Sequence, residues 1–410
     1  MTHHALVFGA SGILGWAAVN EILSSYPQKG TYSRVTAITN RPLSFEDSLW
    51  PTPGPETPAL NLICGIDLLN TNADDLKQTL KEKAPDIETV DHVFYFAYKF
   101  DPDFSTEAAM NLSMVQHSFD ALESLALNLR YVVFPTGTKG YGIHLPSRPY
   151  KAPFVETMNT LPEPARSELF YYVIRDELTQ RQKGKAWKWA EVRCDMIVGF
   201  VPHSSPYNLV GTYGNFLSLY RFMHEKGHPD ALSPRVPYPS PGPSFRVLNN
   251  EGNQRVFAHF SIHLCLNPQR SGNGELYNIG GETVPVSYGD RWRDIVANFG
   301  LEGVDPVDKE DARYLGGAVG FVRSHGDMVE KLRREKGVDL QVITFEDGFD
   351  MWMEVFDFDH HLALEKTRSV GFKKEEASKD IWKWVLGIYA RAGKQYLGDG
   401  GKETKWTSRI

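Results

Sequence analysis

The sequence predicts an α/β protein: a doubly wound parallel sheet accompanied by a smaller, mainly helical C-terminal substrate domain. Three observations lead there. Short apolar runs rich in Val, Ile, Phe and Tyr alternate with helical stretches through roughly the first 200 residues, as in repeated strand-helix-strand units. The first run ends in a glycine loop that opens an apolar helix. Beyond Val201 the periodicity lengthens into helices joined by Pro-rich connections. A chain of 410 residues has room for both parts.

In order, strands are expected at Ala5–Phe8, Arg34–Thr39, Ala59–Cys64, His92–Phe96, Tyr131–Phe134 and Lys188–Val192. The helix between the first two places Val19, Ile22 and Leu23 on one face, which suits packing on a sheet. A strand at Leu276–Ile279 is expected to return to that sheet, and Tyr288–Phe299 and Ile381–Ala390 read as helices. The expected division is a cofactor-binding domain over 1–200, rejoined by about 255–283, and an interleaved substrate domain over 201–254 and 284–395. A polar tail over 396–410 is expected to fray beyond Gly398. The prolines of Ser233–Ser244 argue against regular structure, so this stretch is expected to be a loop and a candidate substrate lid; an uninvolved surface loop fits the composition equally well.

Charge and cysteine content exclude several classes. With 44 Lys plus Arg against 51 Asp plus Glu, the chain lacks the basic field of a nucleic-acid-binding protein. Its three cysteines, Cys64, Cys194 and Cys265, are too scattered for a disulfide framework or a paired-thiolate metal site. No apolar run is long enough to span a bilayer, and the sequence enters a strand without a signal core, so a cytoplasmic location is expected.

The loop Gly9-Ala10-Ser11-Gly12-Ile13-Leu14-Gly15 carries the first chemistry. Missing side chains let a backbone approach a pyrophosphate, and helix N-terminal N–H groups attract it. With a strand before and a helix after, this is the expected Rossmann-type dinucleotide site, formed by Gly9, Ser11, Gly12, Ile13 and Gly15. The second strand ends Thr39-Asn40-Arg41-Pro42, without the acid that would bond a ribose 2′-hydroxyl. Arg41, beside Asn40, instead implies NADP(H), because a guanidinium grips a 2′-phosphate bidentately; a solvated arginine opening a loop is the alternative. Asp67-Leu68, after the third strand, offers a carboxylate to an adenine amino group, although a cap explains Asp67 nearly as well.

A Tyr four residues before a Lys on one helix is a common reductase pair, but the sole match, Tyr95 and Lys99, straddles a strand end and does not bring the side chains together. Lys139, in Phe134-Pro135-Thr136-Gly137-Thr138-Lys139-Gly140-Tyr141, and Tyr171, in Leu169-Phe170-Tyr171-Tyr172, are better placed. Together GASGILG, NRP, FPTGTKGYG, LFYYVIRDE, WAEVRCDMIVGF and SPYNLVGT resemble the progesterone 5-beta-reductase and iridoid synthase family, atypical extended short-chain dehydrogenase/reductases. GELYNIGGE and LEKTRSVGF help to extend the likeness over about Ala5 to Ala390.

The resemblance implies an NADPH-dependent oxidoreductase of secondary metabolism that reduces an enone or enal double bond in a small hydrophobic carbonyl compound. Lys139 and Tyr171 carry over as the catalytic residues and, with Thr136, as cofactor contacts. As hydride reaches the β carbon, charge grows on the carbonyl oxygen, where a phenol stabilises the enolate. A lysine favours phenolate character and holds cofactor hydroxyls. The chain departs from the family at Arg175, where an acid is usual, at Gly140, where histidine is usual, and at Cys194, where proline is common. Tyr98 and Tyr141 are the candidate substrate walls, with plain packing as the alternative. Lys139 as a loop lysine and Tyr171 as a core aromatic are the corresponding structural alternatives.

Asp357, Asp359, His360 and His361 invite a metal assignment, but adjacent histidines diverge on a helix, and a solvated helix start is the expectation; no metal is assigned. Carbonyl reduction, a redox-neutral isomerase or cyclase, and a non-catalytic NADP sensor remain alternative functions for the same fold, and a homodimer is left open.

Overall fold

The computed structural model describes residues 2–205, 207–240, 242–340 and 348–398. The chain forms two compact units. One comprises Met1–Cys194, Gln254–Ile279 and Ala363–Lys374; the other comprises Asp195–Asn253, Gly280–Leu362 and Glu375–Ile410.

The first unit is built on seven parallel strands: β1 (His3–Phe8), β2 (Tyr32–Ile38), β3 (Ala59–Ile63), β4 (His92–Tyr95), β5 (Tyr131–Gly137), β6 (Lys188–Cys194) and β7 (Glu275–Asn278). Their order is β7-β6-β5-β4-β1-β2-β3, so the winding reverses between β1 and β4, where an open sheet forms a ligand crevice at its carboxyl edge. β7 pairs with β6 from Glu275 opposite Ala190 to Asn278 opposite Arg193, which makes the late return of the chain a seventh strand.

Both faces of the sheet are covered, and the central strands therefore read as unbroken apolar runs. On one face α2 (Ala73–Lys83), α3 (Phe104–Leu122) and α4 (Phe170–Gln182) bury Leu76, Leu80, Val115, Phe119, Ile174 and Leu178 with Phe8, Val93 and Val132. Each such side chain contributes ~1.5–3 kcal/mol when fully buried. On the other face α1 (Ile13–Leu23) packs on α5 (Gln254–Leu266), where Glu21 and His259 pair at 2.6 Å.

The second unit surrounds the helix Leu209–Glu225, whose Tyr213 and Phe216 pack on Trp292. Here the expectation of an irregular Ser233–Ser244 is corrected. Arg235–Pro237 is a strand paired in parallel with Glu302–Val304, and Gly242–Phe245 is a short helix. Proline is compatible with an edge strand; Trp292 Nε1 donates to Val236 O at 3.0 Å, and Tyr238 is buried. Pro241 within that stretch, and the tail beyond Gly398, lie outside the described residues.

The solvated helix start at Asp357–His361 is likewise corrected. No helix forms there, and His360 is fully buried with Nε2 3.2 Å from Asp195 Oδ2. Burial opposes its charged form, but Asp195 outweighs that and lifts the imidazole above its usual value. Asp359 bonds the backbone N–H of Leu248 at 2.9 Å. His360 alone turns inward, whereas Asp357 and Asp359 are exposed, as the sequence suggested.

Candidate active site

The glycine loop is shaped by backbone contact. Gly9 has φ of +74°, and a Cβ there would stand 2.6 Å from Phe96 O; a Cβ on Gly15 would stand 2.2 Å from Gly9 O. Only glycine fits either position without moving the main chain. Gly12 is the N-cap of α1 with no side-chain cap bond, and the first turn holds no acid. Gly12 N donates to Gly9 O at 2.9 Å and closes the loop on itself, so what the loop offers a dinucleotide pyrophosphate is a side-chain-free approach to the positive end of α1.

At the end of β2, Thr39 Oγ1 donates to Arg41 O at 2.6 Å and tightens the turn. Asn40 and Arg41 are exposed, and Arg41 has no ion-pair partner among the described residues. Asp67 closes its own turn: Leu69 N donates to it at 3.0 Å and the Asn70 side chain at 2.8 Å, and the Asn70 bond leads in holding the carboxyl below its usual range. Leu68 O accepts from His117 Nδ1 at 3.1 Å.

Lys139 lies in a single 3-10 turn (Thr138–Tyr141) directly after β5 and is 8% exposed, so it is not a surface loop lysine. Its ammonium is 5.2 Å from the Phe104 ring centroid. Burial lowers its pKa, while Glu107 pulls the other way. Tyr171 comes from the first turn of α4, yet its hydroxyl reaches the end of β5: a Cβ on Gly137 would stand 3.0 Å from it. Thus the tertiary fold, rather than helical spacing, brings Tyr171 to the segment that carries Lys139. Tyr95, by contrast, is buried in the core beside Phe119, and Lys99 is exposed.

Tyr98 stacks on Phe170 at 5.1 Å, and its hydroxyl donates to Glu107. Tyr141 is buried, stacks on Phe154 at 4.9 Å and donates to Asn278 Oδ1 at 2.6 Å. These bonds fix both tyrosines in the first unit.

A buried charged network, unforeseen in the strand reading, supports the Lys139 turn. On β6, Glu191 and Arg193 are both fully buried and pair at 2.7 Å. Thr136 donates to Glu191, and Arg193 Nε donates to Thr136 Oγ1 at 3.2 Å. Arg175, the departure noted above, also points at Glu191, at 3.1 Å, so one carboxylate faces two guanidinium groups. The guanidinium of Arg193 lies 4.4 Å from the Tyr141 ring centroid and fills the space beside Gly140, where a Cβ would come within 2.3 Å of it. A side chain at Gly140 would require that guanidinium to move. The available signal was Glu191 and Arg193 at strand spacing inside an otherwise apolar run. His144, also unforeseen, is held neutral by burial and by Lys139, with its pKa pushed down to about 4.

The chain resembles known proteins along most of its length. The PRISE-like Rossmann-fold domain profile matches residues 5–395. The short chain dehydrogenase ausT of Aspergillus calidoustus is 31% identical over 381 residues, covering 90% of this chain and 89% of its own. The 3-oxo-Delta(4,5)-steroid 5-beta-reductase of Arabidopsis thaliana is 26% identical, covering 73% and 69%. Among solved structures, a UDP-N-acetylglucosamine 4-epimerase from Methanobrevibacter ruminantium shares the fold with a TM-score of 0.56 at 16% identity, covering 95% of this chain and 99% of its own. No helix among the described residues is long and apolar enough to cross a membrane.

Proposed function

The chain belongs to the PRISE-like Rossmann-fold family, and we propose that it is an NADPH-dependent reductase of carbon-carbon double bonds conjugated to a carbonyl in hydrophobic small molecules. The coarser assignment, an oxidoreductase of the short-chain dehydrogenase/reductase superfamily, follows from family membership. The enone reading is supported above all by the Tyr171 hydroxyl at the end of β5 beside the Lys139 turn, and by the steroid 5-beta-reductase among the relatives.

A bound nicotinamide supplies hydride; everything else falls to this chain. Tyr171 donates a hydrogen bond to the carbonyl oxygen of the substrate, where charge develops, and water then protonates the α carbon of the enolate to give the saturated carbonyl. Lys139, in a desolvated setting, favours phenolate character in Tyr171 and holds ribose hydroxyls. Asp67 accepts from the adenine amino group while keeping its own turn closed. Tyr98, braced by Phe170, forms part of the substrate wall, whereas Tyr141, buried against Phe154 with the Arg193 guanidinium over its ring, is core packing rather than the wall the sequence suggested. A panel of enals and enones, assayed for NADPH consumption with products identified, tests the proposal. A saturated carbonyl product supports it; an allylic alcohol identifies carbonyl reduction instead, and conversion without NADPH consumption identifies a redox-neutral reaction.

Cofactor choice rests on Arg41. Arg41→Ala removes a charge-assisted contact to the 2′-phosphate worth ~1.5–3 kcal/mol, so the preference for NADPH over NADH is expected to drop by roughly tenfold or more. Fluorescence titration with both cofactors checks this; equal affinities in the native protein would sink the NADP assignment.

Gly137→Ala probes the placement of Tyr171. The added methyl would stand 3.0 Å from the hydroxyl, displacing it by some tenths of an ångström. Because misplacement by ~1 Å can cost about a hundredfold, a loss in kcat of roughly tenfold is expected, measured with NADPH saturating. A native kcat would show that the hydroxyl does not act from this position.

A further inference from the structure

Glu107 is a buried carboxylate that the reductase reading leaves unused. It lies in the first turn of α3, is 1% exposed, and accepts the Tyr98 hydroxyl on Oε1; Oε2 is buried without a hydrogen-bond donor. Such an oxygen is costly to bury unless a cation stands nearby. The Lys139 ammonium packs over Phe104, which precedes Glu107 by three residues and so shares its side of α3.

The other groups around this pair are limited. His144 meets Phe104 edge-on at 5.3 Å, and Lys139 helps to keep it neutral. Asp101, on the loop before α3, lowers the Glu107 carboxyl through its backbone and, more weakly, raises it through its like charge. Tyr171 reaches in from α4 at the end of β5. Burial works against the ammonium of Lys139, and Glu107 is the carboxylate that works for it.

We propose that Glu107 is a positioning residue for the reaction, keeping Lys139 charged and directed to the end of β5, with Tyr98 fixing the orientation of the carboxylate. The proposal rests on the reductase reading for what Lys139 does, but not for the pairing itself. Its consequence is a pH dependence with a definite sign. While Glu107 is ionised, Lys139 keeps its proton to higher pH. Neutralising Glu107 therefore moves loss of the ammonium to lower pH, and the alkaline limb of kcat/KM follows it.

The experiment uses full-length protein carrying isotopically labelled lysine, with the Lys139 resonance assigned by its disappearance in Lys139→Arg. Glu107→Gln is expected to lower the Lys139 titration midpoint by about one to three pH units, the effect of losing an adjacent opposite charge. Glu107→Asp, which keeps the charge, is expected to recover most of that shift. An unchanged midpoint in Glu107→Gln overturns the proposal whether or not any substrate turns over. A shifted midpoint in a protein that reduces no enal or enone supports the pairing and sinks the reductase reading.

If Glu107→Gln does not fold, Tyr98→Phe carries the test. Burial raises the Glu107 carboxyl above its usual value and the Tyr98 bond opposes that, so loss of the hydroxyl moves its protonation, and with it an acid-side step in the Lys139 resonance, to still higher pH. No movement of that step counts against the arrangement.

Discussion

Tyr171→Phe is expected to cut kcat on a hindered enone by about 100 to 1,000 fold while leaving NADPH affinity nearly intact. The ring still packs edge-on against Phe170 at 4.5 Å, so only the hydroxyl beside Gly137 is lost. A donor aimed at a developing oxyanion is worth ~2.7–4 kcal/mol in the transition state, whereas the same bond to a neutral carbonyl contributes less. The deficit should therefore fall on kcat more than on KM. Lys139→Ala should also slow turnover, but with weaker cofactor binding, because its ammonium is assigned to the ribose. Activated enals need less oxyanion stabilisation than hindered enones, so the loss should be smaller for enals. Single-turnover hydride transfer at saturating NADPH is the measurement. A native rate on the hindered enone would remove Tyr171 from the oxyanion role.

The parts that could be read from sequence are those governed by local rules. Strand-length apolar runs, the glycine loop and the helix behind it specify the sheet and its carboxyl edge, and the bounds of β3 and β4 differ from expectation by one residue each. What escaped was tertiary. Arg175 stood out as a charge of the wrong sign beside Tyr171, yet its partner, Glu191, lies on a strand and becomes a neighbour only when α4 packs on the sheet. Glu107 carries no motif, and its significance comes from desolvation beside Lys139. Prolines misled in Ser233–Ser244 because local propensity cannot foresee that Arg235–Pro237 finds a partner strand at Glu302–Val304. His360 misled for a similar reason: burial and pairing with Asp195 are properties of the fold.

The Glu191 network supports the last expectation, a loss of stability. Glu191→Ala leaves Arg193 fully buried without its carboxylate, leaves Arg175 without its partner, and strips Thr136 of its acceptor. Removing one member of a buried ion pair typically costs ~3–5 kcal/mol, a large share of the ~5–15 kcal/mol by which a folded protein is stable. A marked fall in the urea midpoint is therefore expected for the single variant. Removing both charges, as in Glu191→Leu with Arg193→Leu, eliminates the fully buried guanidinium and leaves only the partly exposed Arg175 without a carboxylate, and replacing a buried pair by apolar groups is often close to neutral. Stability should then return in large part. Turnover should not, because the guanidinium also fills the space beside Gly140 and faces the Tyr141 ring, flanking Lys139 in its turn. A double variant that regains stability but keeps a depressed kcat separates the two duties of the network: paired charge to hold β5 and β6 together, and a rigid surface on which the Lys139 turn rests. If the single variant unfolds at the native midpoint, Glu191 does not anchor this part of the sheet. If the double variant is fully active, the turn is held by other contacts, such as the Tyr172 hydroxyl on Gly140 O at 2.8 Å.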